Sequence, residues 1–305
     1  MAGERRFGFV HVDVFARRPL EGNPLAVFTD ARGMSDAEMQ AVAREMRLSE
    51  TAFVLPRDMA EEMAKGVRTR IFTPQEELPF AGHPALGTAW VIKNGRMEDE
   101  IPLDLKVGRV PVRFMQREGR LFGEMVQPEP RWGSVHDARK VAAALEIDQA
   151  DLDTRAPIET VSTGNPFAIV PFRSIDTLRG LQPSPSQMDR YLRTTDARYF
   201  YLVSRETESP DARLHARMIF GAGEDPATGS AAGPAAAWML RHDWVRPEES
   251  VWVEQGIEVS RPSQIFVRAG GRRDRPQNVR VGGFCFKVLR GDLTLPTGSL
   301  AATAS

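Results

Sequence analysis

Apolar residues alternate with small or polar ones through "FGFVHVDVFA" (7–16), the period-two pattern of a half-buried β-strand. The pattern changes at "SDAEMQAVAREMRL" (35–48). Ser35 and Glu38 stand at capping-box spacing, and Met39, Val42 and Met46 follow at i, i+3 and i+7. This predicts an amphipathic surface helix whose methionine stripe faces the core. "SETAFVLP" (49–56) and "GVRTRIFTP" (66–74) read as strands, a helix starts at about 83, and 109–128 reads as a hairpin around "REGR". The polar, Pro- and Gly-containing "EPRWGSVHDARK" (129–140) reads as an interdomain linker. The order then repeats: a helix near 136–147, strands at 157–172, 197–204 and 213–220, a Gly-rich turn with a helix at 229–241, and closing strands. The fold class is α+β, mainly antiparallel strands around one central helix per half.

Those two helices are unusual. Residues 84–93 and 231–240 are apolar nearly all round, which predicts burial on every side. A helix buried to its N-terminus leaves backbone N–H donors without partners, and something must accept their hydrogen bonds. The small residues Gly82, Gly229 and Ser230 in the first turns let a ligand approach the backbone, and a carboxylate suits both the donors and the helix dipole. A loop carbonyl or water would also satisfy them.

The halves share more than their order of elements. "EGNPLAVF" (21–28) resembles "STGNPFAIV" (162–170), and "AGHPALGTAWVI" (81–92) resembles "GSAAGPAAAWML" (229–240). The offsets, 142 residues from Asn23 to Asn165 and 148 from Trp90 to Trp238, nearly agree. They far exceed a solenoid period of roughly 20–50 residues and fit two copies of one domain. The boundaries expected are 1–130 for the first domain, completed by a C-terminal strand at about 286–298, 131–285 for the second, and a disordered tail at 299–305.

Composition narrows the function classes. Forty basic residues against 41 acidic give no electrostatic case for nucleic acid or an anionic membrane. The mixed-sign "RDMAEEMAKGVRTR" (57–70) reads as a solvated helix and turn. A single cysteine, Cys285, allows no intramolecular disulfide or cysteine metal cluster. The N-terminus lacks the apolar core of a signal peptide and no stretch approaches a membrane span, so the chain reads as cytoplasmic.

Several familiar motifs fail on spacing. "GAGEDPATGS" (221–230) lacks both the last glycine of a dinucleotide fingerprint and the lysine of a P-loop, "GSAAG" is no nucleophile elbow, and five scattered histidines make no zinc motif. Single polar residues beside the turns remain. His83 opens the first central helix, Asp225 and Ser230 flank the second turn, and Glu50 follows a helix–strand junction. From position alone Glu50 reads equally as an inward-pointing functional group and as an ordinary N-cap or edge carboxylate, Asp225 equally as a site residue and as a turn former, and Asn23 and Asn165 as Asx residues shaping their GNP turns.

Together "DVFARRPLEGNPLAVF", "LSETAFVLP", "RIFTPQEELPFAGHPALGTAWVI", "STGNPFAIV" and "GAGEDPATGSAAG" resemble the PhzF-like phenazine-biosynthesis isomerase family, relatives of diaminopimelate epimerase and proline racemase. The likeness runs in order from about residue 8 to 290. It implies two similar domains, each a curved, mainly antiparallel sheet wrapped around a central helix, with the active site in the cleft between them, usually in a homodimer. The epimerases use one cysteine per domain, whereas Ala81 and Thr228 stand at or near those places here, which argues against a two-cysteine racemase. The family's catalytic carboxylate maps onto Glu50, with His83, Asp225 and Ser230 at its other active-site positions. In the phenazine enzyme that glutamate moves a proton between ring carbons of trans-2,3-dihydro-3-hydroxyanthranilate, with no cofactor or metal. The resemblance thus implies a small carboxylic acid substrate; the amides near Gly82, His83, Gly229 and Ser230 suit its carboxylate, and Asn23 and Asn165 in the repeated turns read either as lining the cleft or as turn formers. Epimerisation by Glu50 and Asp225, or ligand binding without turnover, stand as alternative readings.

Overall fold

The computed structural model describes residues 3–221 and 223–297, and its chain divides into two compact units. The first comprises the residues up to Met125 and those from Phe284, and the second spans Val126–Gly283. The first unit runs β1 (Glu4–Val14), β2 (Asn23–Phe28), α1 (Asp36–Met46), β3 (Glu50–Val54), α2 (Met59–Lys65), β4 (Val67–Phe72), β5 (Glu77–Leu78), α3 (Gly82–Lys93), β6 (Glu100–Leu105), β7 (Gly108–Arg117) and β8 (Arg120–Val126). The second continues with β9 (Arg131–Val135), α4 (Ala138–Leu145), β10 (Glu159–Ser162), β11 (Pro166–Phe172), α5 (Ile175–Gly180), α6 (Pro185–Leu192), β12 (Tyr199–Ser204), β13 (Leu214–Arg217), β14 (Ile219–Phe220), β15 (Gly223–Glu224), α7 (Gly229–Arg241), β16 (Val251–Gln255) and β17 (Ser263–Arg272). The long last strand, β18 (Arg275–Pro296), begins against β17 in the second unit and ends against β1 in the first. No described helix is long and apolar enough to cross a membrane.

The two units follow one plan. Along the strand path β1-β2-β3-β4-β6-β7-β8 the pairings run antiparallel, parallel, antiparallel, parallel, antiparallel, antiparallel. Along β10-β11-β12-β13-β16-β17-β18 the series is the same. Each unit therefore contains two parallel ladders within a mostly antiparallel sheet, a mixed arrangement that alternation alone does not reveal. A parallel partner requires a crossover. The segment 29–49 carrying α1 provides one such crossover, and 173–198 carrying α5 and α6 provides its counterpart.

Local signals explain most elements. Ser35 and Glu38 form the capping box of α1, which buries Met39 and Val42 over a row of phenylalanines, Phe28, Phe53 and Phe72, on β2, β3 and β4. Phe28 and Phe53 face one another across the parallel register with ring centroids 5.1 Å apart. Helix α2 buries none of its residues, as its mixed charges imply. The segment expected to be a linker is structured: residues 131–135 form β9 against β10, where Ser134 N–H donates to Asp196 and Asp196 accepts the Thr160 hydroxyl. Its polar residues belong to an edge strand, whose outer face needs no apolar side chains. The tail expected to be disordered lies outside the described residues.

Helix α3 packs against β1, β2, β3, β6 and β7 of its own unit, and α7 against β10, β11 and β17 of the other. Residues 82–89 of α3 are buried, whereas Trp90, Val91, Ile92 and Lys93 are half-exposed, so only its first two turns meet the all-round burial expected. Helix α7 is buried at every residue from Ala231 to Leu240. The seat of α3 is close: a Cβ on Gly87 would lie 2.7 Å from both Leu25 and Val14 side chains. Gly87→Ala is expected to destabilise the protein by about 1–3 kcal/mol, the cost of overpacking, despite the better helix propensity of alanine. Gly95→Ala, whose Cβ would meet nothing nearer than a carbonyl at 3.8 Å, should be close to neutral. Urea denaturation of both variants measures the difference.

Candidate active site

Two groups of the residues singled out in the sequence come together, one in each unit. In the first, Glu50 is the leading residue of β3 and His83 the second residue of α3. Their side chains meet with His83 Nε2 3.4 Å from Glu50 Oε2, the imidazole buried and the carboxylate 15% exposed. The parallel register sets Leu25 beside Glu50, so Asn23, the first residue of β2, lies at the same end of the sheet and is fully buried. Gly22 turns the chain into β2 with φ +70°, and a Cβ there would stand 2.3 Å from the Val14 carbonyl. The GNP turn thus needs its glycine for both conformation and space.

A separation of 3.4 Å is longer than a formed hydrogen bond. His83 Nε2 is buried and makes no hydrogen bond among the described residues. Such an atom typically costs about 1–3 kcal/mol. Burial pushes the imidazole pKa down to about 3, so His83 is a neutral ring at physiological pH. Beside it the first turn of α3 is uncapped. Ala81, at the N-cap, provides no side-chain hydrogen bond, and its carbonyl takes only the Ala85 amide. Pro84 has no N–H, so the amides of Gly82 and His83 are the donors this turn has to offer, the arrangement expected for a carboxylate or developing oxyanion.

The second group surrounds the start of α7. Thr228 is the N-cap, but its hydroxyl donates to Asp225 Oδ2 at 2.6 Å instead of capping the helix. Its carbonyl accepts from Ala231 and Ala232, so Gly229 and Ser230 carry the remaining first-turn amides. Gln127 connects this turn to the second GNP motif. Its Nε2 donates to the Gly229 carbonyl at 2.9 Å, and its Oε1 accepts the Thr163 hydroxyl at 2.5 Å, two residues before Asn165. Unlike Asn23, Asn165 is half-exposed, and Gly164 before it is exposed with φ +144°. The two GNP turns therefore resemble one another in sequence more than in burial.

Sequence reasoning did not identify Gln127, Thr163, Tyr201 or Gln255. The signal available was a buried amide or phenol within an otherwise apolar strand, as in "YFYLVS" and "VWVEQ". Glu50 also has no carboxylate counterpart. The parallel register that sets Glu50 beside Leu25 sets Tyr199 beside Phe167 at the matching place in the second unit. Among the described residues no three His, Cys, Asp or Glu side chains are grouped so as to hold a metal ion.

The family model described as phenazine biosynthesis-like protein matches residues 12–291. The chain belongs to that family. It is 36% identical over 292 residues to the trans-2,3-dihydro-3-hydroxyanthranilate isomerase of Pseudomonas fluorescens, covering 94% of this chain and 99% of that one. A Pseudomonas aeruginosa structure described as a predicted epimerase superposes with TM-score 0.81 at 35% identity, covering 95% of this chain and 99% of its own. An Agrobacterium vitis hydroxyproline epimerase shares the fold, with TM-score 0.61 at 15% identity, over 97% of this chain and 94% of its own. The resemblance read from the motifs is thus borne out, as is the assignment to the isomerases.

The neutrality of His83 has a consequence for stability. Unfolding returns the imidazole to its ordinary value of 6.5, so the unfolded chain takes up a proton that the folded one refuses until about pH 3. The contribution is fully present above pH 6.5 and is lost as the pH falls towards 3. Urea titrations at pH 7, 6, 5 and 4 should show a stability slope in wild type exceeding that of His83→Gln by up to about 1.4 kcal/mol per pH unit. Equal slopes would mean that the ring is charged in the folded protein.

Proposed function

We propose that the protein is a cofactor-independent isomerase of a small cyclic amino or hydroxy carboxylic acid, trans-2,3-dihydro-3-hydroxyanthranilate or a close analogue, with Glu50 as its general acid and base. The observation that carries the proposal is the pairing of Glu50 with a buried, neutral His83 at an uncapped helix start, in a chain 36% identical to isomerases acting on that compound. Glu50 removes a proton from one ring carbon, the double bond shifts, and the same proton or one from solvent is returned at another carbon. Nothing is oxidised or reduced.

Each part of the group suits one step. An imidazolium beside Glu50 would hold the carboxylate ionised and weaken it as a base, whereas a neutral ring does not. His83 Nε2 would take up a hydrogen bond with the substrate amino or hydroxyl group. The Gly82 and His83 amides, with those of Gly229 and Ser230, would hold the substrate carboxylate and spread the charge of the enol-like transition state. In this reading Asp225, Asn23 and Asn165 complete the binding groups, and the two helix starts serve one ligand in a cleft between two wrapped domains with the boundaries expected from the sequence. Assembly as a cytoplasmic homodimer belongs to the same reading.

Proton NMR of the protein with trans-2,3-dihydro-3-hydroxyanthranilate in D2O tests it. Wild type should move the double bond, with deuterium incorporated wherever the abstracted proton exchanges with solvent, and Glu50→Gln should be slower by about 100-fold or more, the usual share of a general acid–base group. Inversion of a stereocentre without a shift of the double bond would favour epimerisation, the activity that the description of the Pseudomonas aeruginosa structure suggests. No reaction in either sample would remove this substrate, and equal rates would remove Glu50 from its role.

A further inference from the structure

The second unit contains a hydrogen-bond network that leads to Asp225 and whose proton directions can be assigned. Gln255, the last residue of β16, is fully buried. Its Oε1 accepts the Thr228 amide N–H at 3.2 Å, and its Nε2 donates to the Asp225 carbonyl at 2.7 Å. A backbone N–H only donates and a carbonyl only accepts, so these two contacts fix which end of the amide is which. The other two bonds follow. Tyr201, buried on β12, donates its hydroxyl to Gln255 Oε1 at 3.1 Å. Gln255 Nε2 donates its second hydrogen to Thr228 Oγ1 at 2.8 Å. The Thr228 hydroxyl, already accepting there, directs its own hydrogen to Asp225 Oδ2 at 2.6 Å.

We infer that Gln255 and Thr228 are positioning residues. Together they force the Thr228 hydroxyl to act as a donor to Asp225, which fixes that carboxylate in one orientation and favours its ionised form for the reaction. Only a carboxamide at 255 supplies both the acceptors and the donors used here, so the identity of the residue as well as its size is specified. The same network commits the Thr228 hydroxyl, at or near the place where the resemblance puts an epimerase cysteine, to holding Asp225. The backbone of the turn is held independently: Asp225 N–H donates to Met218 and the Ser263 hydroxyl donates to Pro226. Neighbouring charges pair among themselves, Arg217 with Glu224, and His215 with Glu254 and Glu258. The Thr228 hydroxyl is thus one contact through which this chain tunes Asp225.

The inference rests on the role proposed for Asp225, and its test separates the two. Thr228→Val keeps the shape and removes the donor, Thr228→Ser restores it, and Gln255→Glu reverses the bond by offering an acceptor to the hydroxyl. Steady-state kinetics with trans-2,3-dihydro-3-hydroxyanthranilate should show kcat lowered about 10-fold or more in Thr228→Val and Gln255→Glu. KM should stay within about 3-fold, the acid limb of the kcat profile should move up by about one pH unit, and Thr228→Ser should recover near wild-type behaviour. In parallel, 13C NMR titration of carboxyl-labelled aspartate, with Asp225→Asn to assign the signal, should show the Asp225 midpoint rising by about one unit in Thr228→Val. If wild type does not turn over this compound, the functional reading fails and the titration alone decides the positioning role. A folded Thr228→Val or Gln255→Glu protein with wild-type kcat and an unmoved Asp225 midpoint would overturn it.

Discussion

A helix that starts inside a protein must find partners for its first amides without help from water. Both central helices accept this constraint, and the sites are arranged around it. At α3 no side chain caps the turn, Pro84 removes one donor, and the His83 ring of that turn meets Glu50. At α7 the residue that would ordinarily cap the helix, Thr228, turns its hydroxyl away to Asp225. The uncapped starts cost stability, and the close packing behind them offsets it. Gly87 allows α3 to settle onto Leu25 and Val14, and α7 is enclosed along ten successive residues.

One scaffold thus appears twice with different chemistry. The pairing series is identical in the two units, and in both a GNP turn leads into the first strand of a parallel pair. The side chains diverge where reaction would occur. Glu50 in one unit is matched by Tyr199 in the other, and His83 by Ala231 in the aligned helix sequences. The first unit keeps a largely buried carboxylate against a neutral imidazole. The second keeps a carboxylate held from behind by a buried amide and a hydroxyl. A duplicated backbone fixes where groups can stand, and substitution then decides what each does.

Much of the fold was legible because it depends on local periodicity. The capping box of α1, the solvated α2, the strand β1 and the apolar run of α7 all express short-range rules and formed as expected, although β1 buries Val12, Asp13 and Val14 in succession where alternation was expected. The misreading at 131–135 shows the limit of those rules. A polar sequence with a glycine and a tryptophan makes an edge strand because it pairs with β10 and because Asp196, far along the chain and held by the Thr160 hydroxyl, accepts the Ser134 amide. The parallel ladders were hidden for a related reason. Strand direction is set by the crossover and by which neighbour is available, not by the side-chain pattern of the strand itself.

Sequence alone determined the family, the internal repeat and the short list of polar residues beside the turns, since motifs and spacings are carried by the chain itself. Glu50, His83, Asp225 and Ser230 could all be named without coordinates. Only the tertiary structure decided what state and company those residues have. Burial under the sheet, which no spacing encodes, keeps His83 neutral. The direction of the proton in the Thr228 hydroxyl depends on Gln255 and Tyr201, 27 residues away in either direction along the chain. Desolvation and hydrogen-bond polarity depend on the enclosing atoms from distant segments, and those meet only when the chain has folded.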